Sequence, residues 1–230
     1  MLPQNNSDSA CCRVLSNLLP AGVACRVLEI KNYTNELSQS ETELITGTSE
    51  KRQNEFSTGR KCAKDALAKL GVRDIVILRN EHREPVWPDG IVGSITHCRD
   101  LCGSVVSYSN NMKCIGFDIE NLKPLTQDIS KYVCTQIERD WLAMDHKPKR
   151  ETLLILLFSL KEAVFKCVFP LHAIHFGFKD CIVKPDLNSG TAEVEFLRDD
   201  IKTRLQLQFR LDHEHVYSIA YQTAGNNIEI

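Results

Sequence analysis

The chain has 230 residues, 43% hydrophobic and 25% charged, with 28 Lys and Arg against 30 Asp and Glu for a formal net charge of -2. That is the composition of an ordinary globular protein of one large domain or two small ones, and its near-neutral balance offers nucleic acid no bulk attraction, so any anion site must be a local basic cluster. The longest purely apolar run, residues 153–158, is far short of the roughly 20 residues a membrane helix needs.

Residues 1–12, MLPQNNSDSACC, read as a polar, disordered tail. They lack the basic and apolar regions of a secretory signal, so the protein is expected in the cytoplasm. Residues 21–30 alternate as a strand does. Residues 49–70 carry helical spacing, with Phe56, Ala63, Ala66, Leu67 and Leu70 on one face and Gly71 as the stop. Residues 74–78 read as a short strand, followed by a turn-rich stretch around Pro85, Pro88 and Gly90. Residues 91–96, 103–108 and, after the Asn110-Asn111 turn, 114–119 read as successive strands. One or two helices are expected within 126–144. Residues 153–168 form a strong helix, apolar on most sides in its first half and therefore largely buried. Strands return at 181–184, 191–197, 205–211 and 216–222. This order predicts an α+β protein of two similar α/β halves, 13–112 and 113–230, dividing near residue 112.

Ten cysteines are scattered from Cys11 to Cys181 without a C-x-x-C, and Cys98 with Cys102 has no matching second pair. They read as reduced, mostly small buried residues, forming neither disulfide nor zinc site.

Four constellations can carry chemistry. In Gly116-Phe117-Asp118-Ile119-Glu120 the strand period puts Asp118 and Glu120 on one face and Phe117 and Ile119 on the other. Two close carboxylates repel unless a cation lies between them. Mg²⁺ suits them, since it takes a few carboxylates and completes its octahedron with water and phosphate oxygens. A D-x-E alone is more often an ordinary polar strand face. In Phe158-Ser159-Leu160-Lys161-Glu162-Ala163-Val164-Phe165-Lys166, residues Ser159, Glu162 and Lys166 share one helical face. Glu162 can add a third carboxylate and Lys166 can hold a phosphate. The rival is a routine Glu–Lys surface pair of a few tenths of a kcal/mol, but this helix is too apolar to be a surface helix, so its polar stripe needs a buried partner. Arg52, Arg60, Lys61 and Lys64 on the first long helix, with Arg83 before Pro85, form a basic group; a solvated face is the default, yet Arg52 and Arg60 lie two turns apart and can grip phosphate together. Finally, Gly93-Ser94-Ile95-Thr96-His97 ends a strand with a hydroxyl and an imidazole that can both donate to phosphate. It lacks the G-x-S-x-G elbow of a serine hydrolase.

Taken together, the T-H strand end, the G-x-D-x-E strand and the F-S-x-K-E-A-x-F-K helix resemble the 4′-phosphopantetheinyl transferases of the Sfp and enterobactin-synthase type. The resemblance runs through residues 49–170 and includes E-F-x-x-G-R at Glu55–Arg60, R-x-P-x-W-P at Arg83–Pro88 and G-S-I-T-H at Gly93–His97. Phe158 stands where many members carry Trp, and Thr96 where many carry Ser. The resemblance implies a pseudo-dimeric α/β fold with coenzyme A in the cleft between halves. Asp118, Glu120 and Glu162 would hold Mg²⁺ against the pyrophosphate. Lys166, His97 and Thr96 would touch the phosphates, and Arg52, Arg60 and Arg83 the nucleotide end with its 3′-phosphate.

The implied reaction is attack of a serine hydroxyl of an apo acyl or peptidyl carrier protein on the β-phosphorus of coenzyme A, with adenosine 3′,5′-bisphosphate leaving. Glu162 is the first choice for the base and Glu138, on the helix after the D-x-E strand, the second. A monomer is expected, with neither nucleic acid nor membrane as partner. The carrier is left open among siderophore or antibiotic synthetases, polyketide synthases and fatty-acid synthesis. The rivals are another Mg²⁺-dependent phosphotransferase or nuclease, and a coenzyme-A-binding or carrier-binding regulator. The acidic balance disfavours the nuclease, and the presence of all three carboxylates disfavours the regulator.

Overall fold

The computed structural model describes residues 14–15, 17–123, 127–144, 147–172 and 176–225, so the 1–12 tail expected from sequence lies outside it. Strand β1 (Val23–Glu29) is followed by the short helix α1 (Gln39–Glu43) and the 20-residue helix α2 (Glu50–Lys69). The Ser49 hydroxyl accepts from the Arg52 amide and starts α2 as an N-cap. Gly71, at φ +83°, turns the chain just beyond its end, a conformation that costs glycine little. Strands β2 (Ile91–His97) and β3 (Leu101–Tyr108) form an antiparallel hairpin, and β1 pairs with the other edge of β3, giving the order β1-β3-β2. Helix α2 buries Ala63, Ala66 and Leu67 against Ile91, Val106 and Ile77.

The strand expected at 74–78 does not form. Asp74 takes φ +57°, and the Ile77 amide donates to the Glu41 carboxylate at 3.0 Å rather than to a neighbouring strand. Glu41 is fully buried; it also accepts from the Ser38 amide and pairs with Lys64 at 2.7 Å. A buried backbone donor must be satisfied, and here a side chain does it. The pairing in this stretch is an isolated bridge between Arg79 and Pro85.

The second half begins with β4 (Met112–Asn121), followed by α3 (Ser130–Val133), α4 (Gln136–Leu142) and α5 (Arg150–His172). Strands β5 (Cys181–Asp186), β6 (Thr191–Phe196), β7 (Gln206–Leu211) and β8 (His215–Thr223) complete an antiparallel sheet of order β4-β8-β7-β6-β5. The α+β class is as expected, with a long helix laid on an antiparallel sheet in each half. Leu153, Leu154, Leu156, Leu157 and Leu160 are all buried, as an all-round apolar helix must be. Among the described residues no helix is long and apolar enough to cross a membrane.

Two features bring the halves together around the site. Phe117 and Ile119 of β4 join Val27 and Val105 of the first sheet and Tyr217 and Ile219 of β8 in one shared core. On the opposite side β4 lies directly against α5. Gly116 makes this possible: a Cβ there would collide with the Ala163 carbonyl oxygen and come within 2.6 Å of the Cys167 nitrogen.

Candidate active site

Three elements converge on one locus. The end of β2 supplies Thr96 and His97, β4 supplies Asp118 and Glu120, and α5 supplies Glu162 and Lys166 one turn apart. Lys166 Nζ lies 2.6 Å from Asp118 Oδ1, 3.1 Å from Thr96 Oγ1 and 3.4 Å from the Phe117 carbonyl oxygen. The Thr96 hydroxyl donates to the same Asp118 Oδ1 at 3.0 Å. Asp118 is only 2% exposed, yet its second oxygen, Oδ2, is buried without a hydrogen-bond partner. Leaving a buried acceptor unpaired costs about 1–3 kcal/mol, more for a charged group, so this oxygen marks a place where a ligand belongs.

The neighbouring acids feel the crowding. Burial pushes Glu120 up to about 8; Asp118 and Glu162 add to the shift, and Lys166 opposes it. Burial also raises Glu162, against the pull of Lys166 and with the push of Asp118. Three carboxylates share one ammonium, so a divalent cation would relieve the excess. All-oxygen donors and an unpartnered oxygen fit Mg²⁺. Among the described residues, however, the trio of possible ligands whose donor atoms all lie within 4.8 Å of one another is not these three carboxylates but Cys98, Asp100 and His215.

His97 is partly exposed, with Nε2 3.9 Å from Glu55 Oε2. Burial lowers its pKa, Glu55 opposes this, and Arg52 and Lys166 lower it further. Glu55 in turn lies 3.5 Å from Arg52, so an Arg52–Glu55–His97 line runs from α2 to the end of β2. Arg60 is more enclosed than a solvated helix face allows. Its guanidinium covers the Phe56 ring at 4.4 Å and donates to the Leu78 carbonyl at 3.2 Å, while Nε has no partner. Burial pulls Arg60 down to about 10, opposed by Glu41 and reinforced by Arg52 and Arg79. Arg83, exposed at φ +68°, lines a cleft of about 570 Å³ with Trp87, Ser94, Phe165, Lys166 and Phe169. That volume lies within the usual range of a small-molecule site, about 300–1,000 Å³.

Two residues expected here are elsewhere. Glu138 does not reach the locus. Its Oε2 accepts from Lys161 at 2.7 Å, the Thr135 amide at 2.7 Å and the Thr135 hydroxyl at 2.9 Å, and its Oε1 accepts from the Val183 amide at 2.8 Å. Lys161 also donates to the carbonyls of Val133, Phe178 and Cys181. This pair braces α4, α5 and β5, so Glu138 is not available as a base. Ser159 leaves the polar stripe as well, donating to the buried Ser218 hydroxyl at 3.0 Å. Sequence reasoning missed Lys161 and Arg79. A lysine beside, and not on, the Ser159–Glu162–Lys166 stripe of a largely buried helix was the available signal for Lys161; Arg79 carried none.

Residues 40–107 match the family model of the 4′-phosphopantetheinyl transferase N-terminal domain, and residues 114–221 that of the 4′-phosphopantetheinyl transferase superfamily. With a helix on an antiparallel sheet in each half and the acids gathered between them, the chain belongs to the 4′-phosphopantetheinyl transferases. It is 34% identical over 182 residues to the 4′-phosphopantetheinyl transferase Npt of Nocardia iowensis, covering 78% of this chain and 80% of that protein. It is 36% identical over 149 residues to PptT of Mycobacterium tuberculosis, 65% of each chain. To enterobactin synthase component D of Salmonella typhimurium it is 31% identical over 147 residues, 61% of this chain and 54% of that protein.

Proposed function

We propose that the protein transfers 4′-phosphopantetheine from coenzyme A to a serine of an acyl or peptidyl carrier protein, with Mg²⁺, releasing adenosine 3′,5′-bisphosphate. One observation carries the chemistry: Lys166 and Thr96 hold one oxygen of Asp118 while the other is buried and unpartnered, beside a cleft that Lys166 itself lines. Asp118, Glu120 and Glu162 would hold the Mg²⁺, which when bound offsets the charge growing on the pyrophosphate.

Lys166 and Thr96 exchange part of their contact with Asp118 for phosphate oxygens, and His97 donates from the open side. Arg52, Arg60 and Arg83 orient the nucleotide end; Arg60 brings a guanidinium already set by Leu78 and Phe56, so little side-chain freedom is lost on binding. Glu162 takes the serine proton as the serine oxygen bonds to the β-phosphorus and the bridging oxygen departs with the adenosine bisphosphate. The protein acts as a cytoplasmic monomer, with halves 13–112 and 113–230 forming the two walls of the cleft. The name of its relative, enterobactin synthase component D, supports placing a siderophore carrier among the candidates.

The test is intact-mass spectrometry of several apo-carrier domains incubated with the protein, coenzyme A and Mg²⁺. A carrier should gain the mass of one phosphopantetheine, and only with coenzyme A present. No gain on any siderophore, polyketide or fatty-acid carrier rejects the reading.

A further inference from the structure

Where β2 turns into β3, Cys98 and Asp100 stand one residue apart, and β8 begins opposite them with His215. Cys98 Sγ lies 3.3 Å from Asp100 Oδ1, and His215 Nε2 lies 3.2 Å from the same oxygen. The three donor atoms all lie within 4.8 Å of one another. A tetrahedral Zn²⁺ bound by sulfur, nitrogen and oxygen at ordinary lengths separates such donors by roughly 3.4–3.6 Å. These two separations are within a few tenths of an ångström of those between metal-bound donors. Cys98 and His215 are buried, at 8% and 4% exposure, while Asp100 opens on solvent. The open side leaves a position for water.

The surroundings hold these three side chains in place. The far ring nitrogen of His215, Nδ1, lies 3.8 Å from Asp212, which is itself fixed by the His215 amide at 2.7 Å and the Tyr217 hydroxyl at 3.1 Å. At 3.8 Å this is an electrostatic contact and not a hydrogen bond, and Nε2 itself lies 3.1 Å from the Asn121 amide nitrogen, which a bound metal would displace. Asn121 donates to Asp100 Oδ1 at 2.8 Å and accepts from the Arg99 amide at 3.0 Å, holding both the carboxylate and its turn.

We propose that Cys98, Asp100 and His215 form a binding site for one borderline-soft divalent cation, Zn²⁺ by the chemistry of its donors. A thiolate, an imidazole and a carboxylate suit Zn²⁺ and disfavour Mg²⁺, which prefers oxygen alone. The site is separate from the acidic one, and binding releases the Cys98 thiol proton to solvent. The bound ion clips the β2–β3 turn of the first half to β8 of the second. His97 directly precedes Cys98 and Glu120 directly precedes Asn121, so the clip holds the backbone on two sides of the acidic locus. This departs from the expectation that no cysteine serves zinc.

The test uses the full chain stripped with chelator and then titrated with Zn²⁺ or Co²⁺ in excess Mg²⁺. One equivalent of Zn²⁺ should bind per chain and raise the melting temperature, and Co²⁺ should give a sulfur-to-metal charge-transfer band. Cys98→Ser should remove the band. Asp100→Asn, checked for native circular dichroism, should weaken Zn²⁺ at least about tenfold, while Asp118→Asn should leave the stoichiometry unchanged. A chain that takes up no Zn²⁺, a band that survives Cys98→Ser, or an Asp100→Asn variant with unaltered affinity overturns the site and leaves a hydrogen-bonded turn in its place.

Discussion

Helix α5 carries two buried lysine–carboxylate pairs five residues apart, and they are unlike. Lys161 and Glu138 meet at 2.7 Å, at 1% and 2% side-chain exposure, and both carboxylate oxygens and the ammonium have further partners. Lys166 and Asp118 meet at 2.6 Å, but Asp118 Oδ2 has no partner and Lys166 is a quarter exposed. The first pair is chemically finished and can only hold the fold. The second is incomplete at Asp118 Oδ2, and incompleteness in a buried charge is tolerated where a ligand completes it. Satisfaction, rather than burial or distance, separates the brace from the site.

The sharpest way to break this distinction is at its two acids. Asp118→Ala should abolish transfer while leaving far-ultraviolet circular dichroism and the melting transition close to wild type; normal turnover at physiological Mg²⁺ would remove Asp118 from the site. Glu162→Gln should lower kcat by about 10²–10⁴-fold, the effect of losing a general base, with a much smaller loss of coenzyme A affinity by calorimetry. Complete rescue by high Mg²⁺ would leave Glu162 a metal ligand and no base. Glu138→Gln reverses the pattern. It should cost roughly 3–5 kcal/mol of stability in denaturant titration, since it strands Lys161, yet leave kcat per folded molecule near wild type.

Smaller effects sharpen the contrast. If Arg60 holds the 3′-phosphate, Arg60→Ala should weaken coenzyme A about tenfold to a hundredfold more than 3′-dephospho-coenzyme A; equal losses place it elsewhere. Metal-free protein should also reveal Glu120 through pH. Its folded pKa, pushed up to about 8, lies above the ordinary glutamate value of 4.5, so the native state holds the extra proton between these values. Its contribution to stability is full below about pH 4.5 and is lost as pH rises through 8. His97, with a lowered folded pKa, has the opposite sign: its contribution is full above its unfolded value and is lost as pH falls through the folded one. Melting scans should therefore show a falling contribution over this window that Glu120→Gln or added Mg²⁺ removes. A slope unchanged by either assigns it to other groups.

The strands and long helices were legible in the sequence because their periods are local. The acidic locus was legible because its residues sit at strand and helix spacings within two short segments. Residues 74–78 were misread because the partner of Ile77 is Glu41, a side chain 36 positions away that no strand pattern announces. Glu138 was misplaced for a related reason: its helix follows the D-x-E strand, but its carboxylate is claimed by Lys161, 23 positions later. The Cys98–Asp100–His215 trio was out of reach altogether, since Asp100 and His215 are 115 positions apart and no short spacing joins them.

Gly116 gives the locus an unusual kind of rigidity. The clearance between β4 and α5 is fixed by a missing atom, so the strand and helix backbones serve as each other's stop. The strand presents its acids two and four residues after that stop; the helix presents its acid and ammonium within one turn of it. Even one methyl inserted at Gly116 would act as a wedge, moving Glu162 and Lys166 away from Asp118 and Glu120 together. The site cannot loosen at one residue alone: its four polar groups keep their mutual spacing or lose it as a set.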